Sequence, residues 1–118
     1  MRDPLKDIGR IAHMLEMAQL LESEKEKHSL TEIESDKILF FGLSKMVEII
    51  GEAAYKITKE FKEGHSELPW RQIEGMRHIL VHGYYTISPE VLWDVIEHDI
   101  PALIPALLSY SEELRCVD

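Results

Sequence analysis

The sequence predicts an all-α protein: a four- to five-helix up-down bundle forming one domain over residues 1–118. Three observations carry this expectation. Apolar residues recur at three- and four-residue steps along most of the chain. Helix-starting and helix-ending residues punctuate those stretches at helical lengths. No sustained period-two alternation and no Asn-Gly or Asp-Gly turn marks a strand or hairpin.

The first stripe is Leu5, Ile8, Ile11, Ala12, Leu15, Ala18 and Leu21, with Pro4 in its first turn and Asp3 as N-cap. Glu22 to His28 has no apolar partner at any period and reads as a solvated connector. Thr31 and Glu34 resemble a capping box opening a second helix. Its stripe runs through Ile38, Leu39, Phe41, Leu43, Met46, Ile49, Ile50, Ala53, Ala54 and Ile57 to about Phe61. Gly42 and Gly51 fall inside it. Each costs about 1 kcal/mol relative to alanine, which suggests close helix–helix approach. Gly64 ends this segment. Pro69 then sits in the first turn of a helix carrying Trp70, Ile73, Met76, Leu80 and Val81, with Gly83 at its C′ position. Ser88 and Pro89 restart the chain as N-cap and N1, with Val91, Leu92 and Val95 expected to be buried. A last helix opens at Asp99-Ile100-Pro101 and runs to about Leu114, with Pro105 expected to kink or delay it.

A chain of this length can bury roughly two-thirds of its unfolded surface, enough for an independent core. Its 45% hydrophobic and 30% charged residues suit a globular protein. No apolar run reaches the roughly 18 residues of a membrane span, and the N-terminus has no apolar signal core. One cysteine, Cys116, cannot make an internal disulfide, so a cytoplasmic location and no membrane association are expected. The net charge of −9 argues against broad coating of nucleic acid. Between His65 and Ser88, however, Glu67 and Glu74 are balanced by Arg71 and Arg77, and three histidines are added, which allows one local phosphate pocket. Phe40 and Phe41 on one helix, with Ile100, Leu103 and Ile104 on the last, exceed what a small bundle hides. They predict a homodimer.

Chemistry concentrates in Arg77-His78-Ile79-Leu80-Val81-His82-Gly83-Tyr84. In an unbroken helix Arg77 and His82 would stand about 140° apart, so they converge only if the helix ends near Gly83. Arginine presents a planar fork of donors to phosphate, and histidine moves protons near neutral pH. An arginine, a histidine and a tyrosine without paired carboxylates suit cleavage of RNA by its own 2′-hydroxyl, which needs no metal and no cofactor. Two other readings stay open. His78 and His82, four apart, could ligate a metal with His98 or Asp99, although Ile79 stands where a zinc protease motif has its glutamate. Alternatively the bundle is a non-catalytic subunit, binding a nucleotide or a basic partner protein. Glu48 and Glu52 share a helix face with nothing nearby to make them an acid/base pair. Trp70, Trp93, Phe40 and Phe41 read as core or interface, and His13, His28 and His65 as isolated surface or satisfied positions.

The stretch from Pro69 to Tyr85 resembles the signature segment of HepT-like HEPN proteins, as do Ile49-Ile50-Gly51-Glu52-Ala53-Ala54 before it and Trp93 to Pro101 after it. These segments stand in the family's order, and the motif of an arginine, four residues, a histidine, any residue and a tyrosine runs from Arg77 through His82 to Tyr84. The resemblance implies a ribonuclease toxin of a type II- or type VII-like toxin–antitoxin pair, with transfer RNA among relatives' targets. It implies a homodimer whose motif segments face each other, so that two copies of His82 divide the roles of base and acid while Arg77 binds the scissile phosphate. The implied partner is a minimal nucleotidyltransferase antitoxin that transfers AMP onto Tyr84. Where the family commonly has a small polar residue after the arginine, this chain has His78, a supporting residue of the pocket or a packing one.

Overall fold

A computed structural model describes residues 6–78 and 88–115, and every described element is helical. The elements are α1 (Asp7–Lys27), α2 (Leu30–Ser35), α3 (Lys37–Lys56), α4 (Lys59–Gly64), α5 (Trp70–Gly75) with a 3₁₀ turn at Met76–His78, α6 (Pro89–Asp94), a π turn at Val95–Asp99, and α7 (Ile100–Arg115). The chain is therefore all-α, as its periodicity requires. Helix α1 lies against both α3 and α7, α5 and its 3₁₀ turn lie on α3, and α2 bridges α3 and α6.

The core follows the apolar spacing. Ile11, Met14, Ala18 and Leu21 of α1 meet Leu43, Val47, Ile50 and Ala54 of α3 and Leu92, Ile96, Ile100 and Leu107 of the C-terminal run. Met14 takes the buried place expected of Ala12, which is exposed. The Asp3–Pro4 start lies outside the described residues.

Several boundaries differ from the sequence expectation, each for a local reason. Glu22 to Lys27 continue α1 instead of forming a connector. Glutamate and lysine are good helix formers, and Glu24 pairs with Lys27 at 3.4 Å and with His28 at 3.2 Å, the helical i,i+3 and i,i+4 spacings. The following N-cap is Ser29, not Thr31: its hydroxyl accepts from the Glu32 N–H and donates back to the Glu32 carboxylate. The long second helix is in fact three. Asp36 breaks out of helical geometry to cap α3, accepting from the Leu39 N–H at 3.1 Å. Thr58 does the same for α4, accepting from the Phe61 N–H at 3.2 Å.

The second break is stapled from a distance. Asp7, only 2% exposed, accepts from the Thr58 N–H at 3.0 Å and the Thr58 hydroxyl at 2.7 Å. One turn on, Arg10 donates to the Lys56 carbonyl at 2.9 Å and so caps the end of α3.

At the C-terminal end Ser88 and Pro89 start α6 as expected, with Ser88 accepting from the Val91 N–H at 3.2 Å. Val91 itself is exposed and Val95 half-buried, while Leu92 and Ile96 take the core positions. Buried residues here step by four, from Leu92 to Ile96 to Ile100, and would drift around a 3.6-residue helix. The wider π turn absorbs that drift and merges α6 into α7. Pro105 lies on the exposed side of α7 without ending it.

The apolar surplus of the sequence is largely taken up inside the chain. Phe40, Ile100 and Leu103 are buried in its own core. Among the large apolar residues left out of it are Ile38, 87% exposed, and Phe41, 38% exposed.

Candidate active site on the α3 face

After Gly75 the chain tightens from α5 into the 3₁₀ turn Met76–His78, which carries Arg77. This turn lies directly on α3, and Gly51 makes the approach possible. A Cβ at position 51 would run into the backbone nitrogen of Arg77 and stand 2.8 Å from the Met76 carbonyl carbon and 2.9 Å from the Ile73 carbonyl oxygen. The sequence reading of Gly51 as a contact glycine is correct. Gly42 has nothing within 4 Å and is not one.

With its backbone pinned, Arg77 extends over the next turn of α3. Its guanidinium carbon stands 3.5 Å from the centre of the Tyr55 ring, a cation–π contact. Its Nε–H donates to His78 Nε2 at 3.1 Å. A cleft of about 300 Å³ opens beside it, lined by Lys45, Glu48, Ile49, Glu52 and Arg77. Lys45 pairs with Glu48 at 2.6 Å. Lys45 is an i,i+3 neighbour on α3 itself, whereas Arg77 enters the cleft from another element, which sequence spacing could not reveal.

Of the candidate residues, the structure sets Arg77 and His78 side by side, and His82 and Tyr84 lie outside the described residues. Nothing in the sequence analysis points to Tyr55. It stands one helical turn beyond Gly51, so a contact glycine on a helix is the signal that could have found it. Among the described residues no three histidine, cysteine, aspartate or glutamate side chains gather as a metal site.

Of the remaining histidines, His28, His65 and His98 are engaged, while His13 lies exposed on α1 as a surface residue. His65 stacks on Phe61, with ring centres 3.8 Å apart, and places Nδ1 2.7 Å from the Phe61 carbonyl and Nε2 2.8 Å from a Glu113 oxygen. Burial works against its protonated form, but the two acceptors and the nearby Glu67 charge outweigh it and raise its pKa. Around it, Trp70 donates to the His65 carbonyl at 2.7 Å and Tyr110 donates to Glu67 at 2.5 Å. His28 stands between Glu32, at 3.1 Å, and Glu24, at 3.2 Å, and its pKa is raised chiefly by the bond to Glu32. His98 bonds Asp94 at 2.9 Å.

The fold and the cleft together define a small all-α bundle that sets an arginine beside a lysine and two carboxylates. Comparison with known proteins makes this specific: residues 14–109 match the family described as "HepT-like: Ribonuclease HepT-like", and the chain belongs to that ribonuclease family. It is 35% identical over 102 residues to "Probable ribonuclease HepT" of Thermococcus cleftensis, covering 86% of this chain and 87% of that one. It is 34% identical over 93 residues to "Putative RNase TTE0752" of Caldanaerobacter subterraneus, covering 79% of this chain and 83% of that one. A third relative, "Gamma-glutamylcyclotransferase and putative RNase MJ0434" of Methanocaldococcus jannaschii, is 32% identical over 102 residues, which cover 86% of this chain and 46% of that one. No solved structure matches the chain. Among the described residues no helix is long and apolar enough to cross a membrane.

Proposed function

We propose that the chain is a metal-independent endoribonuclease toxin that cleaves RNA by attack of the 2′-hydroxyl on its own phosphate. The observation that carries this reading is the Arg77 guanidinium, backed by Tyr55 and held at the mouth of a cleft on a fold whose family is ribonucleolytic. Arg77 binds the scissile phosphate and stabilises its developing charge. His82 takes the proton from the 2′-hydroxyl, and the His82 of a second copy returns one to the leaving 5′-oxygen. His78 supports the pocket through its bond to Arg77 Nε.

The second copy docks through the outer face of α3. Ile38 and Phe41 share that face, at helical spacing, with Lys45, Glu48 and Glu52 of the cleft, so pairing there brings two clefts together. Transfer RNA is the substrate class and the cytoplasm the place of action. A minimal nucleotidyltransferase antitoxin silences the toxin by placing AMP on Tyr84, whose added phosphate competes for the Arg77 fork.

The test is RNA cleavage by purified protein in EDTA. Arg77→Ala and His82→Ala should each abolish it while leaving helical content and melting unchanged. Cleavage that requires a divalent ion rejects the mechanism. A second reading, a non-catalytic subunit for a basic partner, draws on the net charge of −9 and on the carboxylates of Glu48 and Glu52 in the cleft. Protein that binds the nucleotidyltransferase but never cleaves RNA establishes it instead. Mass spectrometry after co-expression with that partner locates the AMP: on Tyr84 as proposed, or on Tyr85 or Tyr110, which rejects the assignment.

A further inference from the structure

Arg77 makes a choice that its surroundings do not favour. Glu48 and Glu52 line the same cleft, yet among the described residues Arg77 forms no ion pair with either. Its guanidinium instead lies over the Tyr55 ring. A surface arginine carries a long, rotamer-rich side chain, and with Glu48 taken by Lys45 the remaining carboxylate of the cleft, Glu52, is an acid on which it could settle. Paired in that way, its fork would be occupied and its charge neutralised before any phosphate arrived.

We infer that Tyr55 is the positioning residue for Arg77, holding the guanidinium flat on its ring and away from Glu52, so that the Nη1/Nη2 edge stays open to a phosphate. Three features fit together. Gly51 fixes the Arg77 backbone on α3 one turn before Tyr55, so the stem is anchored at the right height. With the guanidinium carbon 3.5 Å from the ring centre, an edge-on plane would drive an N–H group into the ring, so the sterically allowed plane is near parallel and the contact uses none of its hydrogens. Nε–H goes to His78, which fixes rotation within that plane and leaves the two Nη groups as the bidentate edge. A stacked arginine engages phosphate with less freedom to lose than a mobile one. The inference deepens the ribonuclease reading, on which it rests only for the claim that the bound phosphate belongs to a substrate about to be cut.

The experiment is a double-mutant cycle on binding, with an all-2′-O-methyl oligoribonucleotide as an uncleavable probe followed by fluorescence anisotropy. Tyr55→Leu should weaken binding about tenfold, the upper range for one such contact. Tyr55→Phe keeps the ring and should stay within about threefold of wild type. In an Arg77→Ala background Tyr55→Leu should cost nothing further, because the arginine it positions is gone. An undiminished loss in that background overturns the inference, as does equal loss in Tyr55→Phe or no loss in Tyr55→Leu. Failure of the wild-type chain to bind the probe overturns it too. If Tyr55→Leu proves poorly folded, the side-chain NMR signals of Arg77 in the wild-type chain decide. An upfield ring-current displacement supports the stacking, and ordinary shifts overturn it. Wild-type protein that binds with this coupling but cleaves no RNA rejects the ribonuclease reading and leaves the Tyr55 inference standing. Protein that cleaves without the coupling does the reverse.

Discussion

Two regions of this small bundle hold similar inventories of polar and aromatic side chains and use them in opposite ways. Where α4, α5 and α7 meet, His65, Glu67, Glu113, Trp70 and Tyr110 contain every group a general acid–base site needs. All are bonded to one another or to backbone: both His65 nitrogens face acceptors, Tyr110 is committed to Glu67, and Trp70 to a carbonyl. On the outer face of α3, Arg77 and Glu52 share a cleft without an ion pair between them. The aromatic corner has the composition of a reactive site and serves structure. The α3 face has the composition of ordinary surface, and its arginine is aimed rather than neutralised. Residue type locates possible chemistry, and hydrogen-bond saturation is what sets these two regions apart.

The sharpest way to break this contrast is at its structural extreme. Asp7→Ala should cost about 3 kcal/mol, since it leaves the buried Thr58 N–H and hydroxyl without their acceptor. Chemical denaturation measures the loss, and per folded molecule RNA cleavage should be unchanged. A drop in specific activity without a stability loss would place Asp7 with the working groups and undo the comparison. Gly51→Ala comes next and sits on the boundary between the regions. The added methyl must push the Arg77 backbone off α3, costing about 2 kcal/mol of stability and, unlike Asp7→Ala, cleavage as well.

The same contrast explains what the sequence could and could not disclose. The helical class, the Ser88–Pro89 start and the contact glycine at position 51 all arise from short-range spacing or residue chemistry, and they are legible. The breaks at Asp36 and Thr58 are not, because an apolar stripe continues through them while a side-chain cap ends one helix and begins the next. Asp7 gives no signal because its partner lies on a distant segment. Tyr55 is hidden for the same reason. Its partner Arg77 is on another element, and apart from its place one turn beyond Gly51 nothing about a tyrosine at the end of an amphipathic helix distinguishes a ring under a guanidinium from a ring in water. His82 and Tyr84 are legible as motif residues and lie outside the described residues, so their convergence with Arg77 stands as a proposal.

A smaller effect tests the open face itself. Gly42 is exposed in the middle of α3, and a methyl added there would meet nothing within 4 Å. Gly42→Ala should therefore raise stability by about 0.5–1 kcal/mol, because the unfolded chain loses freedom. The same substitution should leave the sedimentation of a dimer unchanged only if the partner copy avoids this position. Loss of stability in dimer but gain in dilute monomer would place the second copy against Gly42 itself.

The smallest effect belongs to His65, and its direction follows from the two acceptors on its ring. The Phe61 carbonyl at 2.7 Å and the Glu113 carboxylate at 2.8 Å both suit an N–H donor, so the ring is best satisfied when both nitrogens carry hydrogen. Burial opposes that charge, with the side chain 18% exposed, yet the folded pKa stands above the ordinary value of 6.5. Folding therefore favours the protonated ring. The stabilisation is present in full below pH 6.5 and fades as pH rises through the folded-state value. His28, raised by Glu32 and Glu24, adds a slope of the same sign from the α1–α2 junction. The two are separated by difference: wild type minus His65→Gln should lose stability between neutral and mildly alkaline pH, and wild type minus His28→Gln reports the other site. Glu113→Gln should flatten the His65 component by removing its charged acceptor. If cleavage rate instead of stability tracks the His65 titration, that saturated corner takes part in the chemistry, and hydrogen-bond saturation fails as the criterion dividing the two regions.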